Sequence, residues 1–200
     1  MYPTLLDTMT TRADARFRTA EQIGAVLFVT TLTAIAAQIS LPLPFTPVPF
    51  TFQPMVVLLG AAALGPRLGL SSQILYLALG LAGLPVFAAS PILPQGAARL
   101  LGPTGGYLMA YPFAAFAAGW LAERGFDRRY ATAVASMMCG LAIVFAGGVL
   151  WLTIASRPSI GWSGALAAGF VPFIVPDLLK LLIAAAVMPA LWRITGSASR

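Results

Sequence analysis

Six apolar stretches, at 22–39, 50–64, 68–84, 106–122, 130–154 and 166–191, fill most of the chain and leave little polar sequence from which a soluble domain could be built. A straight helix needs about 20 residues, range about 17–25, to cross a bilayer. Composition agrees: 59% of residues are hydrophobic and 9% charged, with a mean hydropathy of +0.88, against roughly 25% charged in soluble domains. The expected fold is an all-α integral membrane protein with six transmembrane helices. It forms a single polytopic domain over 1–200, with a polar segment at 1–21 and a tail at 192–200. The polar, arginine-bearing start does not read as a cleavable signal peptide, so the first span is expected to be an uncleaved anchor.

Basic residues set the expected orientation. Arg12, Arg16, Arg18, Arg67, Arg124, Arg128, Arg129, Arg193 and Arg200 fall on one side and only Arg99 and Arg157 on the other, nine against two. The positive-inside rule makes both termini cytoplasmic, in a multi-pass protein of the cell (inner) membrane. Because the arginines lie in short connections between spans, the net charge of +6 does not point to nucleic acid. The chain has no histidine, and Cys139 is its single cysteine. Neither a disulfide within the chain nor a common transition-metal ligand set is expected, and no cofactor is implied.

Two places break the apolar pattern. "LPLPFTPVPF" puts four prolines between Leu41 and Phe50. Such a segment is a rigid external loop or a re-entrant piece buried in the bundle, because irregular backbone cannot face lipid. The second span, after it, is short and interrupted by Pro54.

In "FIVPDLLKLL", Asp177 and the only lysine, Lys180, lie three apart in the sixth apolar stretch. On a helix they share a face and can pair. An ionisable side chain at the bilayer centre costs at least about 2.5–3.5 kcal/mol on insertion scales. The pair either fixes helix packing or lines a polar ligand site. Pro172 and Pro176 leave the carbonyls of Ala168 and Pro172 without helical donors, adding acceptors nearby.

"RLLGPTGGYL", 99–108, precedes the fourth span on the outer side. Taken alone it is an ordinary turn. Beside the sixth helix, however, Thr104 could cap the helix, and Gly105 and Gly106 could let backbone donors approach a ligand. Small residues four apart on the first span, Thr30/Ala34 and Thr33/Ala37, allow close helix approach. They serve internal packing or, for Thr30, Ala34 and Ala37, docking of a partner. Gln38 and Gln53 flank the Pro-rich segment, Trp120, Trp151 and Trp192 read as interfacial anchors, and "ERGFDRR" reads as a solvated turn.

Together "AQISLPLPFTPVPFTFQP", "YLALGLAGLPVFA", "GPTGGYL" and "PDLLK" resemble the BioY family, the biotin-specific substrate-binding subunits of energy-coupling-factor vitamin transporters. The resemblance runs from about Ala34 to Leu182. It implies six helices with cytoplasmic termini, in agreement with the charge count. It also implies biotin as ligand, with a transmembrane coupling subunit and cytoplasmic ATPases as partners. The family's aspartate and lysine fall on Asp177 and Lys180, and its glycine-rich turn on 102–106, followed by Tyr107. Leu108 stands where some relatives carry a basic residue, which leaves Arg99 as the outward-facing cation for the biotin carboxylate. "ASPILPQGAAR", with two prolines where many relatives are glycine-rich, implies a stiffer cover over the pocket.

On this reading the substrate-binding set is Asp177, Lys180, Arg99, Thr104, Gly105, Gly106, Tyr107 and Gln53, with Asp177 accepting from the ureido N–H groups and Lys180 orienting it or reaching a ligand oxygen. An enzyme is not expected. No histidine can act as base, one carboxylate lies within a span, and no serine accompanies Lys180 on its helix. An autonomous carrier of biotin or another small carboxylate, without an ATPase, and a purely structural membrane subunit are the alternatives.

Overall fold

The computed structural model describes residues 2–10, 15–90, 94–156 and 158–195, excluding the side chains of 9, 10, 15 and 16. Arg12, Arg157 and Arg200 of the charge count, and residues 91–93 of the expected cover, lie outside the described residues. The elements are α1 (Leu5–Thr10), α2 (Ala15–Gln38), β1 (Ser40–Leu41), β2 (Phe50–Thr51), α3 (Gln53–Leu64), α4 (Pro66–Leu81), α5 (Ala97–Leu101) and α6 (Gly105–Ala122). After them come α7 (Tyr130–Ala155), α8 (Gly161–Gly169), a 3₁₀ turn (Val171–Phe173) and α9 (Ile174–Ile194). Among the described residues three helical stretches are long and apolar enough to cross a membrane: Phe17–Gln38, Tyr130–Ala155 and Gly161–Ile194.

Helix α6 is the hub and packs against α3, α4 and α7. Its Ala114, Ala115 and Ala118 are fully buried, small enough for neighbouring backbones to come close. Gly119 lies beside the corner between α3 and α4, where Gly65 adopts φ 84° and Pro66 opens the next helix. That pairing ends one helix and starts another without an unsatisfied proline position. The large side chains that α2, α6 and α9 turn outward, Phe28, Phe113 and Ile183 among them, are exposed, a surface suited to lipid.

The second apolar stretch starts differently from expectation. Its first residues form β2, which pairs antiparallel with β1 in the register Ser40↔Thr51 and Leu41↔Phe50. Pro54 sits in the first turn of α3, where a missing N–H leaves no bond unmade. Proline therefore starts this helix and does not interrupt it.

The sixth stretch is broken in three around Pro172, and α9 then runs unbroken through Pro176 and Pro189. Pro172 has no N–H for the Ala168 carbonyl, and the Thr46 hydroxyl of the Pro-rich segment donates to that oxygen at 2.6 Å. The Gly169 carbonyl accepts from the Tyr107 hydroxyl at 2.7 Å. Side chains from two other elements thus complete the broken helix, and they fix the Pro-rich segment against it.

The small residues of the first span pack within the chain. Thr30 and Ala37 are buried within the chain, and Ala34 packs on the core. The Thr30 hydroxyl lies within hydrogen-bond reach of the carbonyls of Val26 on its own helix and Ser72 of α4, at 2.8 and 3.0 Å, with one proton to share between them. Small residues here bring α2 onto α4, so the stripe is not a free surface. The tryptophans also divide. Trp120 stays exposed, with the Arg124 guanidinium 3.2 Å from its ring centroid. Trp192 is fully buried and donates its indole N–H to Asp127 at 2.6 Å. The turn read as solvated therefore contains a buried carboxylate.

Candidate ligand-binding site

Asp177 and Lys180 form an ion pair one turn apart on α9. The Lys180 ammonium also donates to the Thr51 carbonyl at 2.6 Å and lies 3.9 Å from the Phe50 ring centroid. A buried cation needs its charge paired and its donors satisfied. Carboxylate, carbonyl and aromatic face meet that need together, and both of the last two come from the β-hairpin strand β2. Lys180 itself does not line the main cavity; its ammonium is engaged by Asp177 and by the hairpin.

Asp177 does line that cavity, an empty space of about 670 Å³ including its open mouth. Val48, Phe87, Val144, Phe145 and Phe173 make apolar walls, and Gln53, Arg99, Thr104, Tyr107 and Tyr111 bring polar atoms. The cavity therefore unites five residues expected from sequence: Gln53, Arg99, Thr104, Tyr107 and Asp177.

Each does something specific there. Arg99, on the short helix α5, is 6% exposed, and its Nε has no hydrogen-bond partner among the described residues. No carboxylate among the described residues pairs with it, so a buried cation faces a cavity without a counter-ion. Tyr107 gives its ring to the wall, edge-on to Phe145, while its hydroxyl is bound to Gly169. Thr104 lines the cavity, but its side chain makes no cap to α6.

Gly105 and Gly106 are not in the cavity wall. A side chain at Gly105 would strike the Leu100 carbonyl, and one at Gly106 would strike Trp151 and the Gly147 carbonyl. The Gly105 N–H already donates to Gly102 at 3.0 Å. These glycines let α6 pack closely on α5 and α7.

Sequence reasoning missed Tyr111, Phe87 and Tyr76. Tyr111 follows Tyr107 by four residues, so the shared helix face was available as a signal. Tyr76 and Phe87 both lie within "YLALGLAGLPVFA", and they meet edge-on with centroids 5.5 Å apart. Their contact with Gln53 and the cavity depends on the fold of the connection after α4, for which the sequence carried no local signal.

Comparison with known proteins identifies the family. The model of the BioY family matches residues 9–197. A probable biotin transporter BioY from Pyrococcus horikoshii is 40% identical over 161 residues, covering 80% of this chain and 90% of that protein. The biotin transporter BioY of Thermotoga maritima is 42% identical over 158 residues, covering 79% and 88%. Among solved structures, the S-component for biotin from an ECF-type ABC transporter superposes with a TM-score of 0.78 at 27% identity, covering 90% of this chain and 95% of that one. A family match across nearly the whole sequence, relatives at this identity and a shared fold lead to one conclusion: the chain belongs to the BioY family.

Proposed function

We propose that this protein binds biotin at the outer side of the inner membrane and serves as the substrate-binding subunit of an energy-coupling-factor transporter. The six apolar stretches are the spans, and the arginine asymmetry makes both termini cytoplasmic. They place the Pro-rich hairpin, α5 and the cavity mouth outside. Biotin presents two ureido N–H donors and a carbonyl, an apolar thiophane ring and a carboxylate tail. Asp177 and Gln53 accept from the ureido head, the ring lies against Phe87, Phe145 and Phe173, and Arg99 meets the carboxylate. The observation that carries this reading is a single cavity holding a buried carboxylate and a buried guanidinium without a counter-ion, between aromatic walls.

Binding alone does not drive uptake, and nothing in the sequence resembles a nucleotide-binding loop. A transmembrane coupling subunit and cytoplasmic ATPases supply the energy, and the protein itself carries out no catalysis. With the Thr30 stripe buried, the partner meets the lipid-facing side chains of the bundle. Radiolabelled biotin titrated onto detergent-purified protein tests the first claim. Saturable binding displaced by unlabelled biotin is expected, and its absence would overturn the reading. Uptake in cells with and without the coupling module tests the second, and equal uptake without it would establish an autonomous carrier.

A further inference from the structure

The corner of the cavity made by Gln53 contains a hydrogen-bond relay whose direction is fixed by chemistry. Tyr76, on α4, is fully buried, and its hydroxyl lies between two partners. One is the carbonyl of Val86, at 3.0 Å, in the connection that follows α4. The other is the Gln53 side chain at the start of α3, at 2.6 Å. A backbone carbonyl can only accept, and a phenol has one proton, so that proton goes to Val86. What the hydroxyl offers Gln53 is a lone pair, and Gln53 must answer with its amide N–H.

The amide is therefore not free to flip. Reversing it would set the Gln53 oxygen against the oxygen of Tyr76 at hydrogen-bond distance with no proton between them. Its surroundings hold Tyr76 in place. Its ring packs edge-on to Phe87, and the Phe87 carbonyl is in turn held by the amides of Gln38 and Gln95, at 3.4 and 3.2 Å. Gln53 lines the cavity, and among the described residues nothing hydrogen-bonds its amide oxygen. A second link ties this corner to the ion pair. The Gln53 backbone N–H donates to the Thr51 hydroxyl at 3.4 Å, and the Thr51 carbonyl accepts from Lys180.

We infer that Tyr76 is a positioning residue that locks the Gln53 amide with its oxygen toward the cavity, giving the site a second fixed acceptor beside Asp177. Two acceptors presented from different helices, α3 and α9, suit a cyclic urea, whose two N–H groups point apart. Asp177 takes one and Gln53 the other. This rests on biotin being the ligand, and it deepens that reading by making Tyr76, which touches no ligand, a determinant of which donors the site selects.

The test uses purified full-length protein and three ligands: biotin and its two derivatives methylated on one or the other ureido nitrogen. In the wild type each methylation removes one donor and weakens binding. Tyr76→Phe releases the Gln53 amide. It is expected to weaken biotin about tenfold, equivalent to ~1.4 kcal/mol, and to abolish discrimination against one methyl isomer only. Discrimination against the isomer facing Asp177 stays. Gln53→Met should lose the same discrimination with the Tyr76–Val86 bond intact, so it decides the matter even where Tyr76→Phe fails to fold. The double variant should bind no more weakly than Gln53→Met, since both act on one contact. Unchanged discrimination in a folded Tyr76→Phe or in Gln53→Met, or losses that multiply in the double variant, would overturn the assignment while biotin binding stands. A wild type that does not bind biotin would overturn both.

Discussion

Helix α9 meets a buried carboxylate near each of its ends, and the protein surrounds the two differently. Near its N-terminal end, the outer one on the orientation we propose, Asp177 is neutralised by Lys180 from its own helix, and the lysine is held in turn by β2. The carboxylate keeps an edge on the cavity. At its C-terminal end, the inner one on that orientation, Asp127 accepts the indole N–H of Trp192, and its other oxygen has no hydrogen-bond partner among the described residues. The Arg128 guanidinium lies 4.1 Å from the Trp192 ring centroid and donates to the Pro3 carbonyl at 3.2 Å, drawing the start of the chain onto this end. One acid is balanced and left open; the other is enclosed by aromatic and backbone groups. Burial of a charge does not by itself mark a binding site. An open edge on a cavity does.

The contrast is broken most directly at Lys180. Lys180→Met leaves Asp177 buried without its cation, a loss of about 3–5 kcal/mol when one partner of a buried pair is removed. Yield, melting temperature in detergent and biotin binding should all fall. Adding Asp177→Asn to Lys180→Met removes the stranded charge and should restore melting without restoring binding. Full recovery of binding in that double variant would make the outer pair structural, no different in kind from the inner acid.

Next in size is the comparison of the two acids themselves. Asp177→Ala is expected to weaken biotin at least tenfold, about 1.4 kcal/mol, because ligand donors lose a charged acceptor. Asp127→Ala should leave the dissociation constant unchanged and lower the melting temperature, since the buried Trp192 N–H loses its partner at about 1–3 kcal/mol. A change in affinity with Asp127→Ala would show that the inner anchor reaches the site. A smaller test separates the poles of the cavity. Arg99→Gln should weaken biotin by about tenfold, ~1.4 kcal/mol, while barely affecting biotin methyl ester, which has no charge for the guanidinium to meet. Equal losses for both ligands would remove Arg99 from the carboxylate end.

How much of this was legible in the sequence follows from the range of each interaction. The Asp177–Lys180 pair was readable because three residues of helix bring the two together. The prolines at 172 and 176 announced carbonyls without helical donors because their lack of an N–H is a local fact. That Thr46 and Tyr107 would complete the break was not readable, since the partners are 122 and 62 residues away along the chain. The small-residue stripe on α2 was ambiguous for a related reason: close packing inside the chain and close packing onto another protein use the same residues. Arg99 could be named as an outward cation, but its burial beside the cavity depends on how α5 folds back. Asp127 was misread because a charge-rich turn is usually solvated, and only the tertiary approach of Trp192 encloses it.

The smallest expected effect is a pH dependence at the inner acid. Burial pushes the Asp127 carboxyl above its ordinary value of 3.8, and the Trp192 hydrogen bond and the Arg128 charge only partly pull it back. The folded protein then holds this proton more tightly than the unfolded chain. As pH rises through the ordinary carboxylate range, the unfolded chain releases its proton first, so this group's contribution to stability falls until the folded form also ionises. Asp127→Asn removes the titration and keeps an oxygen for Trp192. The difference in melting temperature, Asn variant minus wild type, should therefore be least at about pH 4 and become more positive toward pH 7. A slope of opposite sign would mean that Arg128 governs the carboxylate more than burial does. The inner acid would then be a paired charge like Asp177, and the difference between the two ends of α9 would reduce to the cavity alone.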